Sequence, residues 1–390
     1  MQYVRGDEVI ALLQEILRIR SENPPGNERD VAYHLGERLR RSGFDVSYFE
    51  PEPLRTSVVA ILKGTGGGRS LILNGHIDTG PVGEGWTRDP LGGQVEDGKI
   101  YGRGAGDMKS GIAAMVGAAE AVIASGMRRR GDLILMLVAD ESSGGHKGTG
   151  YVVRQVKLKA DMAVVCEPSG THIAIAHRGV VWVEVEVRGK SGQAARPWSG
   201  VNAISLMGRV ITALDATLPG HFAKRTHEIL PSPTHSFGTI AGGIKPNVIA
   251  EACRVVIDRR TLPGESVDDV VDEIQRIAEE AIAGTGARVQ SRPVMVVEPS
   301  EVPADSEPVN RCREALRAVT GMEAKLAGAG GFTDAHWLNN NLGIPTVVFG
   351  PWYLHLTGGS VSDIPDEFNY VEDVVTGTRV YAHLIADVIG

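Results

Sequence analysis

Three apolar runs, at 71–73, 133–138 and 162–165, each pass straight into polar residues able to bind a ligand or carry a proton. The first meets Asn74-Gly75-His76-Ile77-Asp78, the second Asp140-Glu141-Ser142-Ser143-Gly144-Gly145, and the third Cys166-Glu167-Pro168-Ser169. Between the first two, Gly102-Arg103-Gly104-Ala105-Gly106-Asp107 sets an acidic residue in a glycine-rich turn ahead of a helical stretch at 111–125. Strands alternating with helices build an α/β sheet, and ligands of such sheets bind beyond the carboxyl ends of the strands. The chain is thereby constrained to an α/β fold whose strand and turn ends offer His76, Asp107, Glu141 and Glu167 in chain order.

The rest of the chain fits around that sheet. Val9, Ile10, Leu12, Leu13, Ile16 and Leu17 recur at helical spacing until the breaker run Ser21-Glu22-Asn23-Pro24-Pro25-Gly26. A second helix over 29–42 and strands over 44–49 and 58–63 follow. From His177 the texture changes. Residues 180–187 alternate like a half-buried strand, and a helix at 201–218, strands at 235–240 and 252–258, a helix at 267–283 and a strand at 289–297 complete a βαββαβ order. A helix over 307–319 and a strand over 345–349 then resume the α/β style, so residues 177–297 form a small α+β domain inserted into a larger one made of 1–176 and 298–390. At 390 residues, two domains suit the length.

Composition excludes several classes of function. Lys and Arg number 40 against 48 Asp and Glu, a net charge of −8 without a dense basic stretch, so neither nucleic acid nor an anionic membrane is expected as a partner. The longest apolar runs are strand-length, well short of the ~20 residues of a membrane span. Arg5, Asp7 and Glu8 stand where a signal peptide needs an apolar segment. Cys166, Cys253 and Cys312 are widely spaced and form no CxxC pair, so a reducing cytoplasm is expected. Gly189-Lys190-Ser191 lacks the first glycine of a phosphate loop, because that position is Glu184, and no GxSxG elbow occurs.

Taken singly, the strand-end residues say little. A histidine after a strand is more often hydrogen-bonded structure than a ligand, and Asp in a glycine-rich turn is usually an Asx-turn or a cap. Their recurrence in chain order is what points to a metal: one imidazole and several carboxylates suit Zn²⁺, Mn²⁺ or Co²⁺.

The motifs also carry a resemblance. Asn23-Pro24-Pro25-Gly26-Asn27-Glu28, His76-Ile77-Asp78, Tyr101-Gly102-Arg103-Gly104 with Asp107-Met108-Lys109, and Ala139-Asp140-Glu141 with Gly144-Gly145 resemble the cocatalytic zinc peptidase and aminoacylase family, which includes acetylornithine deacetylase, succinyl-diaminopimelate desuccinylase and carboxypeptidase G. The resemblance implies a zinc-exopeptidase-like catalytic domain with an inserted ferredoxin-like lid and dimerisation domain. It also implies that His76 and Glu167 bind one metal, Asp107 bridges two, Glu141 is the general base and Asp78 orients His76. Asn247 and Arg260 match positions that bind a substrate carboxylate, and Gly330, Gly331 and Thr333 match a loop lining the same pocket.

Three positions depart from the family pattern. Ser142 stands where a Glu ligand follows the general base, and Gln193 stands where a lid His stabilises the oxyanion. Counting back four residues from Glu367 to the C-terminal His ligand lands on Asp363. His355, after Trp352 and Tyr353, is either a substitute ligand or a pocket wall. The first metal site therefore keeps its ligand set while the second loses Ser142's counterpart, so one tight divalent ion per chain is expected, with a second site weak or absent.

The expected activity is metal-dependent hydrolysis of a C–N bond, amide or N-acyl amino acid, in a small carboxylate-bearing substrate, by a homodimer or a higher assembly of dimers. Two other readings stay open at this level. One is a hydrolytic deaminase of an aromatic or other non-peptide amine, with Trp352, Tyr353, His355 and Trp198 as ring contacts. The other is a non-catalytic ligand-binding scaffold, against which the retained Glu141 argues, since a binding protein needs no base beside a metal.

Overall fold

The structure is a computed structural model and describes residues 2–350 and 364–390. It divides into two compact units, one comprising residues 1–175, 301–327 and 333–390, the other residues 176–300 and 328–332. Among the described residues no helix is long and apolar enough to cross a membrane.

The first unit is built on a mixed sheet. Its middle strands, Leu133–Val138, Leu71–His76, Met162–Val165 and Thr346–Val348, lie side by side in that order and run parallel. Strands Ser57–Leu62 and Asp45–Phe49 extend one side antiparallel. Leu71–His76 and Leu133–Val138 are buried at every residue, as parallel strands covered on both faces must be. One face is closed by Val152, Val153, Trp337 and Leu338, carried by helices Thr149–Gln155 and Ala335–Leu342, packed on Ile72, Ile134, Met136 and Val138. Against the rest of the unit pack helices Gly6–Leu17, Lys109–Ala124 and Val371–Ile389. The Lys109–Ala124 helix is buried almost all round, which its run of Ala and Gly allows, because small side chains let neighbouring helices approach closely.

Register places the site. His76 pairs with Val138 and Asn74 with Val165, so two of the three central strands end level and the third ends two residues earlier. The Ile77 amide donates to Val138 O at 2.8 Å and the Cys166 amide to Asn74 O at 2.8 Å, which carries the pairing one residue past the strands. His76, the Asp140-Glu141 turn and Glu167 are thus brought to one edge by backbone pairing alone.

The second unit follows the βαββαβ order: strand Gly179–Arg188, helix Ala203–Phe222, strands Thr234–Gly242 and Ala252–Thr261, helix Val267–Ala281 and strand Arg288–Val297. Its antiparallel sheet runs in the order Thr234–Gly242, Ala252–Thr261, Gly179–Arg188, Arg288–Val297. Val181, Val183, Val185 and Val187 point to one face and bury against Leu206, Val210, Leu214 and Ile274 of the two helices. Both helices are capped: Asn202 Oδ1 accepts from the amides of Ile204 and Ser205, and Ser266 Oγ from that of Asp269. Each such cap contributes about 1 kcal/mol.

The expected elements are present with shifts of a few residues at their ends. Beyond them, the helices Thr149–Gln155 and Ala335–Leu342, the strands His172–His177 and Lys325–Ala329, the hairpin Gln94–Glu96 and Lys99–Tyr101, joined by Phe368–Tyr370, and the pairing of Gly192–Gln193 with Val248–Ile249 were not expected. Segments of two or three residues, some exposed throughout, carry too little periodicity to be read.

Candidate metal centre

His76 is the last residue of its strand and is buried. Its Nδ1 donates to the main-chain oxygen of Asp78 at 2.8 Å, which turns Nε2 toward Asp107 Oδ1 at 3.0 Å and Glu167 Oε1 at 3.3 Å. Glu141 opens the 3-10 turn Glu141–Ser143, and donor atoms of His76, Glu141 and Glu167 lie within 4.8 Å of one another. Four of the expected residues, His76, Asp107, Glu141 and Glu167, are therefore brought together.

Each is fixed by backbone. Asp107 precedes the helix Lys109–Ala124, and the turn that carries it wraps the buried carboxylate of Glu367: Oε1 accepts from the amides of Gly104, Gly106 and Asp107 at 3.1, 2.7 and 3.1 Å, while Arg103 Nη1 donates to Oε2 at 2.6 Å. Glu141 is held by its own amide, which donates to Asp78 Oδ1 at 3.2 Å, and the Ser142 amide donates to Asp78 Oδ2 at the same distance. Asp78 Oδ1 itself lies 3.6 Å from His76 Nδ1, so the imidazole is oriented through the Asp78 carbonyl.

The electrostatics are those of a cation site. Burial disfavours a charged His76, yet Glu167, Asp107 and Asp78 raise its pKa well above the usual imidazole value. Burial, then repulsion from Asp107, pushes Glu167 up to about 8 despite His76. Glu141 is likewise raised well above the ordinary range by burial and by Glu167, Asp334 and Asp107, against the pull of His76. Asp78 is buried too, but hydrogen bonds and the charge of His76 lower it to about 2. A buried imidazole whose Nε2 faces two carboxylates, with further carboxylates that repel one another, holds more negative charge than it can neutralise. A divalent cation between Nε2 and the carboxylate oxygens relieves this, so the residues fit the group.

Two residues of the site escaped the sequence reading. Glu367 served there only as a counting mark, whereas it anchors the Asp107 turn. Asp334, buried beside Thr333, accepts from Thr149 Oγ1 at 2.9 Å, and burial lifts its pKa to about 7. Gly145 packs against it so closely that a Cβ would overlap Asp334 and the Trp337 indole. An acidic residue next to the Gly330, Gly331 and Thr333 loop was the available signal.

The remaining expected residues are elsewhere or undescribed. Gln193 and Asn247 are exposed on the second unit, where the Ala194 amide donates to Asn247 O at 3.1 Å. Arg260, also there, is held by Asp258 at 2.7 and 3.0 Å. Gly330 and Gly331 belong to the second unit and are exposed; Thr333 belongs to the first and is buried. Asp363 and His355, with Trp352 and Tyr353, lie outside the described residues.

A mixed α/β unit with histidine and carboxylates at the ends of its parallel strands, interrupted by a βαββαβ unit, defines a metal-dependent hydrolase of C–N bonds in the light of what the chain matches. Residues 72–387 match peptidase family M20/M25/M40, and the chain belongs to that family. It is 30% identical over 341 residues to acetylornithine deacetylase of Erwinia tasmaniensis, covering 86% of this chain and 84% of the relative. Its fold is shared by a tripeptidase from Staphylococcus aureus, with a TM-score of 0.77 at 20% identity over 99% of each chain. It is also shared by a dinuclear metal-binding peptidase from Bacillus subtilis, with a TM-score of 0.74 at 18% identity over 98% of each chain.

Proposed function

We propose that this chain hydrolyses the amide bond of an N-acyl amino acid or dipeptide, with His76, Asp107 and Glu167 holding one divalent ion tightly and Glu141 acting as general base. The observation that carries this is the convergence of His76 Nε2 on Asp107 and Glu167 with Glu141 inside the same group of donors. When bound, a Zn²⁺, Mn²⁺ or Co²⁺ ion supplies Lewis-acid polarisation. Glu141, its pKa lifted by burial, takes the proton from the attacking water and returns it to the leaving nitrogen. Asp78 holds the amides of Glu141 and Ser142 and so sets where that carboxylate sits.

Gln193, where the family resemblance implies a lid His, carries a neutral amide N–H, a weaker donor to an oxyanion than a cationic imidazole. The resemblance gives Arg260 and Asn247 the substrate carboxylate, for which Arg260 would exchange Asp258, and gives Gly330, Gly331 and Thr333 a substrate-lining role. Ser142 presents no carboxylate, which leaves a second ion weakly held or absent, with the bridging Asp107 and one candidate, Asp363 or His355, as its ligands. The similarity to acetylornithine deacetylase favours an N-acyl substrate. The inserted unit would form a homodimer, and the thiols Cys166, Cys253 and Cys312 suit a reducing cytoplasm.

The test is Glu141→Gln assayed against N-acyl amino acids and dipeptides, with metal content measured in parallel. Activity should fall by about 10²–10⁴-fold, the usual contribution of a general base, while metal content stays near wild type. Loss of the ion in this variant would mean that Glu141 is a ligand and that the base is another group.

A further inference from the structure

Arg55 is 4% exposed and lies well away in sequence from every residue of the metal centre, yet its guanidinium gathers the segments that carry that centre. Nη1 donates to Asn23 Oδ1 at 3.1 Å and to Pro25 O at 3.2 Å. Nη2 donates to Asp140 Oδ1 and lies 3.2 Å from Glu28 Oε1. The loop closes so tightly on the guanidinium that Gly26, at φ +90°, has no room for a Cβ.

Two short paths leave this hub. Along the first, Asn23 Nδ2 donates to Asp78 Oδ2 at 3.0 Å, and Asp78 in turn receives Nδ1 of His76 on its carbonyl. Along the second, Asp140 immediately precedes Glu141, takes the left-handed backbone at φ +73° and uses its other oxygen to accept the Lys147 amide at 2.8 Å. One side chain thus fixes both the turn that holds the imidazole and the turn that holds the proposed base.

Charge makes this arrangement depend on Arg55. Glu28, Asp78 and Asp140 are buried carboxylates that repel one another, and Arg55 is the cation set among them. Without it, Asp140 and Glu28 lose the cation beside them and Asn23 loses its donor, so Asn23 and Asp140 are free to shift. The geometry also asks for a planar fork: acceptors on Asn23, Pro25, Asp140 and Glu28 are reached by two terminal nitrogens, which a lysine ammonium cannot span.

We propose that Arg55 is a positioning residue that sets the metal affinity of the His76 site and the placement of Glu141, touching neither ion nor substrate. This rests on the function proposed above. The experiment uses the full chain stripped of metal and titrated with Mn²⁺ and with Zn²⁺ by calorimetry and chelator competition, comparing wild type, His76→Ala, Arg55→Met, Arg55→Lys and Asn23→Ala. Melting temperature is recorded for each, and kcat and KM are measured at saturating metal.

Arg55→Met should bind 10–100-fold more weakly, the usual effect of losing a residue that supports a ligand. At saturating metal, and at a temperature where its melting curve shows it fully folded, its kcat should fall with KM little changed, so that a smaller folded fraction is not the cause. Arg55→Lys should recover only part of the affinity. Asn23→Ala, which cuts the first path alone and leaves the ion cluster in place, should weaken metal about tenfold and carries the test if Arg55→Met does not fold. A folded Arg55→Met or Asn23→Ala with wild-type affinity, or full recovery in Arg55→Lys, overturns the inference alone. A wild type that binds no ion, or binds it as well after His76→Ala, overturns the proposed function and this inference with it.

Discussion

Ser142 works through its amide: the N–H donates to Asp78 while the side chain stays exposed, at a position where the family resemblance implies a carboxylate ligand. Ser142→Glu restores that carboxylate without disturbing the amide. We expect the variant to hold a second divalent equivalent, read by metal analysis after dialysis; unchanged stoichiometry would mean that something other than the missing ligand keeps the second site empty. The contrast between Ser142 and its neighbours shows which residues a sequence displays. His76, Glu141 and Glu167 follow apolar strands, and Asp107 sits in a glycine-rich turn, so each carries a local signal. Arg55 and Glu367 act through partners far along the chain, Arg55 on Asp140 and Glu367 on the Asp107 turn, and no local pattern marks such pairs.

Among the elements, those with strong periodicity were legible and the short polar ones were not. The Gly179–Arg188 strand alternates because its valines face the helices, whereas Gln94–Glu96 is exposed at each residue and shows no alternation. The strand His172–His177 ends in a residue with a measurable consequence. His177 is buried, its Nδ1 donates to the Arg178 carbonyl at 3.0 Å, and burial lowers its pKa to about 4. The unfolded chain, with an ordinary imidazole near 6.5, binds that proton more readily, so the stability His177 contributes is complete above about pH 6.5 and is lost as pH falls toward 4. The difference amounts to about 3 kcal/mol between pH 7 and pH 4. Denaturant unfolding of His177→Gln should accordingly show that much less loss over this range than wild type. Parallel stability curves for the two proteins would remove His177 as the source.

At the scale of the whole molecule, the second unit presents an unfinished sheet. Its two outer strands differ in how they treat water. Arg288–Val297 carries Arg288, Arg292 and Pro293, with Arg292 paired to Glu184, and charges and proline are the features that keep an edge from pairing. Thr234–Gly242 has no lysine, arginine or proline, and Ile240 is 59% exposed, with Ile244 just beyond it at 88%. An unprotected edge of this kind is a template for another strand, and the same strand of a second copy, running antiparallel about a two-fold axis, meets it with identical groups on both sides. We therefore expect a dimer formed through this edge, visible by sedimentation velocity at micromolar concentration. Ile240→Lys places a charge opposite or beside its own copy across the axis, and the dimer should weaken at least tenfold, about 1.4 kcal/mol, with the circular dichroism spectrum unchanged. A wild type that sediments as a monomer would refute the dimer itself. A dimer indifferent to Ile240→Lys would move the contact to another surface of the chain, and the exposed side of the Ala203–Phe222 helix, where Ile204 is 45% exposed, is then the next face to substitute.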